Sequence, residues 1–121
     1  MSARDNDDDE IIAAAREGFL EEAQDNLRQF EAALLVMETD PEDAENLNAA
    51  FRAAHTIKGG AGLFGCTAVV AFTHEAETLL EALRSGQHPL TEATVALLLQ
   101  SRDMIGKLLD EVNSGESDPV V

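Results

Sequence analysis

Apolar residues recur every three or four positions along most of the chain, which is the spacing of residues on one face of an α-helix. The pattern divides into four stripes, which cover residues 12–37, 47–61, 69–83 and 95–112. No stretch shows the strict alternation of apolar and polar residues that is typical of a β-strand. The pattern therefore predicts four amphipathic helices.

The breaks between the stripes are short and rich in turn-forming residues. Asp40-Pro41 ends the first helix and begins the second, Gly65-Cys66-Thr67 forms a turn into the third, and Ser85-Gly86-Gln87-His88-Pro89 precedes the fourth. Glycines also interrupt the second stripe at Gly59, Gly60 and Gly62, and the pattern leaves open whether they end that helix.

Short loops between amphipathic helices predict an all-α fold, an antiparallel up-down four-helix bundle. The length of 121 residues suits one domain, and we place the bundle at residues 10–113. Residues 1–9 are acidic and are expected to form a flexible N-terminus. Residues 114–121 have no helical pattern and are expected to begin a linker.

The composition limits which partners and which cellular compartment fit this chain. The formal net charge is −16, which disfavours nucleic acid and anionic membranes as partners. No apolar run approaches the ~20 residues that cross a bilayer, and the acidic N-terminus is unlike a signal peptide. We therefore predict a cytoplasmic protein without membrane insertion. The single cysteine, Cys66, excludes an internal disulfide and is expected to be a small packing residue.

Two residues with chemical potential occupy equivalent places on neighbouring helices. An α-helix turns by about 100° per residue, so His55 lies roughly 110° from the centre of the inward face of the second helix. Glu77 has the same offset, in the same rotational sense, on the third helix. In antiparallel helices, equal offsets point to the same side of the pair. His55 and Glu77 should therefore both line one groove or both turn outward, and the pattern does not decide between these alternatives.

A histidine beside a carboxylate can act as a nucleophile. The carboxylate accepts a hydrogen bond from the Nδ1 proton, which leaves the Nε2 lone pair open. Two of the eight Lys and Arg residues, Arg52 and Lys58, lie one helical turn before and after His55, and positive groups stabilise a transferred phosphoryl group. Gly59 and the glycine after it add no side-chain bulk, which would let another protein approach closely.

Other interpretations of the same residues remain open on the pattern alone. A histidine at the rim of a helix is commonly an ordinary surface residue. His55, His74 and Glu77 could also bind a metal, but di-iron bundles use Glu-x-x-His pairs from two helices, whereas one reversed His-x-x-Glu occurs here. No Gly-rich phosphate loop and no nucleophile elbow is present. We therefore predict that this domain binds no metal and no cofactor.

The residues around His55 resemble a known motif. Residues Phe51-Arg-Ala-Ala-His55-Thr-Ile-Lys58-Gly-Gly-Ala-Gly-Leu-Phe-Gly65 closely resemble the phosphoacceptor motif of histidine phosphotransfer (HPt) domains. They are most similar to the N-terminal phosphoacceptor domains of chemotaxis histidine kinases of the CheA type. Thr73-His74-Glu75-Ala76-Glu77 is similar to the third helix of that family, and the resemblance extends from the first helix to about Asn113.

The resemblance implies roles for individual residues. His55 matches the phosphorylated histidine, Glu77 the glutamate that orients the imidazole, and Lys58 the lysine that stabilises the phosphoryl group. His74 matches a second histidine near the site. Thr56 stands where serine is common in the family and keeps the hydroxyl group. A fifth helix, which such domains often carry, is not expected within this chain.

The resemblance also implies partners. A separate ATP-binding kinase domain, with Mg²⁺, would transfer the γ-phosphoryl of ATP to His55, and a response-regulator receiver of the CheY or CheB type, with its own Mg²⁺, would take it onto an aspartate. The activity would belong to a full-length, dimeric histidine kinase, while the isolated domain would be a monomeric phosphoacceptor. Two alternatives remain: a stand-alone or hybrid-kinase phosphorelay HPt protein, and a non-catalytic structural or adaptor bundle.

Overall fold

The computed structural model describes residues 3–40 and 44–114, which form four α-helices. These are α1 (Ala3–Thr39), α2 (Ala44–Leu63), α3 (Thr67–Arg84) and α4 (Glu92–Ser114). Each helix packs against the next one in the chain, and α4 closes the ring against α1. The described ranges contain no strand, and the predicted all-α four-helix bundle is confirmed. None of the four helices combines the length and the apolar character needed to cross a membrane.

The helix bounds differ from the prediction at both ends. α1 begins at Ala3 rather than near residue 10, and α4 includes residue 114, where a linker was expected to begin. The apolar stripe does not mark the start of α1, because Ile11 and Ile12 are 65% and 58% exposed and α1 enters the core at Phe19. Acidic residues near a helix N-terminus are favoured by the helix dipole. The remaining residues of the predicted tails, and Pro41, lie outside the described ranges.

The glycines of α2 do not end the helix, so that interpretation is wrong. α2 continues through all three to Leu63, and the chain turns at Gly65, whose φ of +70° favours glycine. The amide of Cys66 donates to the carbonyl of Ala61 at 2.9 Å, and the amide of Gly65 donates to that of Gly62 at 3.3 Å. This pair of bonds is a Schellman motif, which satisfies the last carbonyls of α2 and directs the chain into α3.

The core consists of two apolar clusters along the bundle, and the residues around position 55 lie where they meet. One cluster contains Phe30, Leu34 and Ala54, and the other contains Ile57 and Ile105. Ala54 and Ile57, the inward-facing residues of α2 before and after His55, therefore pack in different clusters. Cys66 is a buried member of the second cluster, which agrees with its expected packing role.

Candidate functional site

His55 and Glu77 face each other across the contact between α2 and α3. The Nδ1 atom of His55 lies 2.7 Å from Oε2 of Glu77, which is hydrogen-bonding distance. The side chain of His55 is 64% exposed, whereas that of Glu77 is 7% exposed. The two equal helical offsets therefore correspond to a direct contact at the α2–α3 groove, and the alternative in which both residues turn outward is wrong.

Lys58 binds the second oxygen of the same carboxylate. Its Nζ atom lies 2.5 Å from Oε1 of Glu77, and its side chain is 26% exposed. Lys58 reaches this position because it lies one helical turn after His55, on the same face of α2. Glu77 thus holds His55 with one oxygen and Lys58 with the other.

The charge state of Glu77 decides which ring nitrogen of His55 is open. Burial alone raises the pKa of Glu77, but hydrogen bonds from Lys58 and His55, together with their positive charge, outweigh it and hold the pKa below its ordinary value. Glu77 is therefore a carboxylate at neutral pH, and a carboxylate can only accept hydrogen bonds. The proton of a neutral His55 must then lie on Nδ1. The lone pair lies on Nε2, across the ring from the Glu77 contact.

The predicted supporting residues on α2 lie around this pair on the exposed surface. Thr56 donates its hydroxyl to the carbonyl oxygen of Arg52 at 2.9 Å, so it bonds to its own helix. The guanidinium of Arg52 is exposed and makes no ion pair with another described residue. Arg52 therefore adds positive charge near His55 and is not tied to a carboxylate in the described ranges.

The two adjacent glycines of α2 have different surroundings. A Cβ atom at Gly59 would meet nothing within 4 Å, whereas one at Gly60 would lie 2.6 Å from Cδ1 of Phe19. Gly60 therefore permits close packing of α1 against α2. The expectation that it leaves room for another protein is wrong, because Phe19 fills that space. Only Gly59 leaves open space beside the site.

His74 is exposed on α3, one turn before Glu77. Its side chain forms no hydrogen bond or ion pair within the described part of the chain, so it stands apart from the network of His55, Glu77 and Lys58. No group of three or more His, Cys, Asp or Glu side chains that could hold a metal occurs among the described residues. The geometry thus offers no support for the alternative metal site at His55, His74 and Glu77.

The site contains two further residues, Phe51 and Arg84, which were not predicted from the sequence. The ring of Phe51 is nearly parallel to the imidazole of His55, with an interplanar angle of 7° and centroids 6.2 Å apart. The guanidinium carbon of Arg84, at the end of α3, lies 4.2 Å from the centroid of the Phe51 ring. The spacing of four residues between Phe51 and His55 is a signal that a search for helical neighbours would have found. No spacing indicates Arg84, because it comes from another helix.

Sequence comparison places this geometry in a known family. The profile of the Hpt domain family matches residues 14–113. The chemotaxis protein CheA of Salmonella typhimurium is 42% identical over 98 residues, which make up 81% of this chain but only 15% of that protein. The chain therefore spans a small part of the length of this relative.

Two solved structures share the fold. One is the CheA phosphotransferase domain from Thermotoga maritima, with a TM-score of 0.75 and 32% identity, covering 80% of this chain and 92% of that one. The other is the phosphorylated P1 domain of CheA3 in complex with CheY6 from R. sphaeroides, with a TM-score of 0.81 and 25% identity, covering 88% and 83%. The family match across most of the chain and the identity to the Salmonella protein establish that the chain belongs to the Hpt domain family.

Proposed function

We propose that this chain is the phosphoacceptor domain of a chemotaxis histidine kinase. In this proposal, Nε2 of His55 accepts the γ-phosphoryl group of ATP from a kinase domain and passes it to an aspartate of a response regulator. The observation that carries the proposal is the hydrogen bond from Nδ1 of the exposed His55 to the buried, ionised Glu77. It keeps the Nε2 lone pair of the neutral imidazole free of Glu77, on a side chain that another protein can reach.

The chemical steps need no proton to leave the ring. The Nε2 lone pair attacks the γ-phosphorus, the bond from phosphorus to the β,γ-bridging oxygen breaks, and ADP leaves. The imidazole becomes a cation that keeps its Nδ1 proton, and Glu77 stabilises this cation through the hydrogen bond already in place. In the second step a carboxylate oxygen of the receiver attacks the phosphorus, the N–P bond breaks, and neutral His55 returns with its original tautomer.

Lys58 and Arg52 would supply positive charge to the phosphoryl oxygens. Lys58 is engaged with Glu77, but an ammonium group has three donors and can hold a carboxylate and a phosphoryl oxygen together. Phosphoryl transfer depends mainly on positioning and on neutralising the charge of the transferred group. These cations matter more on a chain whose net charge is −16.

The proposal assigns ATP, Mg²⁺ and the catalytic machinery to partner domains. The receiver partner is supported by the R. sphaeroides structure, in which a related P1 domain is in complex with CheY6. The open space at Gly59 and the 79% exposed Leu63, one turn further along α2, are compatible with close approach of such a partner. Because the chain is similar to CheA proteins, we also propose that the whole protein is a dimeric kinase in the cytoplasm.

The test is transfer of label from radioactive ATP in the presence of an ATP-binding kinase core supplied as a separate polypeptide. Wild-type chain should acquire an acid-labile label that maps to the peptide containing His55, and His55→Gln should acquire none while remaining folded. His88→Gln, which removes an exposed histidine from the α3–α4 loop, is the matched control and should be labelled normally. Undiminished labelling of His55→Gln would overturn the proposal, and an unlabelled wild-type chain would favour a structural or adaptor role.

A further inference from the structure

We propose that Phe51 is a positioning residue that sets the orientation of the His55 imidazole, and that Arg84 holds Phe51 in place. This inference deepens the proposed function and rests on it. The observation behind it is the stack on the α2–α3 face, in which the guanidinium of Arg84 lies against the ring of Phe51 and that ring lies parallel to the imidazole of His55.

The hydrogen bond to Glu77 alone does not fix the imidazole. It holds Nδ1 at one point, and the ring of a side chain that is 64% exposed can still pivot about that point. The parallel ring of Phe51, one turn earlier on α2, limits this pivot. Aromatic pairs favour offset parallel arrangements with centroids about 4.5–7 Å apart, and the measured 6.2 Å and 7° fall in that arrangement.

Phe51 is itself anchored on two sides. It is half-buried and packs against the core cluster that contains Ala54. The guanidinium of Arg84 lies 4.2 Å from its ring centroid, a distance at which a cation is attracted to an aromatic face. Arg84 is held in turn by Oε2 of Glu81 at 2.5 Å and by Oδ1 of Asn48 at 3.4 Å. The orientation of Phe51 therefore depends on contacts from both α2 and α3.

The orientation of the ring matters because the reacting lone pair lies in its plane. Nε2 must point along the line of attack on phosphorus, so a ring that pivots spends less time in the reactive geometry. Phe51 acts on the ring of His55 and does not touch the phosphoryl group. Its loss should therefore lower the rate constant of phosphorylation and leave the KM for the kinase domain unchanged.

The test compares Phe51→Leu with Phe51→Tyr in the full chain. Leucine keeps apolar bulk and helix propensity but removes the flat face, whereas tyrosine keeps the ring. We expect Phe51→Leu to lower the labelling rate constant by roughly three- to tenfold through misorientation of the nucleophile. Phe51→Tyr should restore it. Thermal melting of each variant shows whether the fold is kept.

A second readout follows the ring itself. Three-bond NMR couplings of the His55 side chain report its rotamers in the absence of any kinase. We expect Phe51→Leu to average these couplings while the Nδ1–H tautomer persists, and Arg84→Met to move them in the same direction. Wild-type couplings in Phe51→Leu would overturn the inference even if the rate fell, since Phe51 would then only pack.

The remaining outcomes are also decisive. A loss that appears in KM rather than in the rate constant would make Phe51 a partner contact and overturn the positioning role. If the wild-type chain takes no label at all, the proposed function of His55 fails. The couplings still show whether Phe51 orients the ring, so the two failures are distinguishable.

Discussion

Lys58 Nζ lies 2.5 Å from Oε1 of Glu77, while His55 Nδ1 occupies the other oxygen of the same carboxylate. A buried carboxylate with two such donors stays ionised, since together they overcome the effect of burial on its pKa. This fixes the tautomer of a neutral His55, because an ionised Glu77 can only accept a hydrogen bond and the ring must donate it from Nδ1–H. Lys58 therefore acts on the nucleophile through Glu77 before any phosphoryl group is present.

Replacing Glu77 should slow phosphorylation without unfolding the bundle. Glu77→Gln keeps the shape of the side chain but removes the charge that stabilises the imidazole cation. A hydrogen bond to a charged group contributes about 1.5–3 kcal/mol, so the rate constant should fall by roughly 10- to 100-fold. Labelling kinetics with a kinase core measure this. Glu75→Gln, an exposed neighbour on α3, is the control. An unchanged rate in Glu77→Gln would remove this residue from the mechanism.

Replacing Lys58 should destabilise the fold and raise the pKa of Glu77. Lys58→Met keeps the aliphatic stem but leaves Oε1 of a buried carboxylate without its cation. The free energy of unfolding should fall by about 1–3 kcal/mol, as expected when a buried acceptor loses its partner. Urea unfolding and ¹³C NMR titration of the Glu77 carboxyl measure the two effects. Lys58→Arg keeps the charge and should recover most of both. Equal stability of the Met variant and wild type would show that the ion pair contributes nothing.

The contribution of Glu77 to stability should depend on pH in one direction. Its folded pKa lies below the ordinary value of 4.5. The carboxylate therefore contributes stability that is fully present above the unfolded pKa and is lost as the pH falls through the lower folded pKa. The difference in unfolding free energy between wild type and Glu77→Gln should shrink as the pH falls through the lowered folded pKa of Glu77. A difference that grows while the Glu77 carboxyl becomes protonated would mean that its folded pKa is raised.

The two adjacent glycines of α2 should respond oppositely to alanine. A Cβ at Gly60 would lie 2.6 Å from Phe19, whose ring is also stacked on Phe64 with centroids 5.5 Å apart. Overpacking of this kind costs about 1–3 kcal/mol, so Gly60→Ala should be destabilised. Gly59→Ala should instead gain about 0.5–1 kcal/mol from helix propensity, because its Cβ meets nothing. Urea midpoints of the two variants give the comparison, and a stabilised Gly60→Ala would contradict the packing described at α1.

The fold followed from the sequence because each apolar stripe buries its face in a bundle. The predicted stripe begins at Ile12, but Ile12 is exposed and α1 enters the core at Phe19, so the apolar pattern does not locate the start of this helix. The sequence also left open that the glycines of α2 end the helix. Gly60 instead makes room for the side chain of Phe19 on α1, a contact that the pattern within α2 does not contain.

The arrangement of the candidate site could be predicted from the sequence only in part. Helical rotation placed His55 and Glu77 on one side of their helices, but it contains no information on which side the neighbour lies or on height along the groove. The resemblance to HPt domains added the expected pairing and the role of Lys58. Neither source indicated the stack of Arg84 on Phe51, which depends on where the end of α3 meets α2.

In the mechanism that we propose, His55 is phosphorylated on the nitrogen that Glu77 leaves open. The most direct measurement is ¹H–¹⁵N NMR of the His55 ring after phosphorylation by a kinase core in the presence of ATP. We expect the phosphoryl group on Nε2, with Nδ1 still protonated and hydrogen-bonded to Glu77. A phosphoryl group on Nδ1, which would have to displace Glu77, or a label on any residue other than His55, would contradict it.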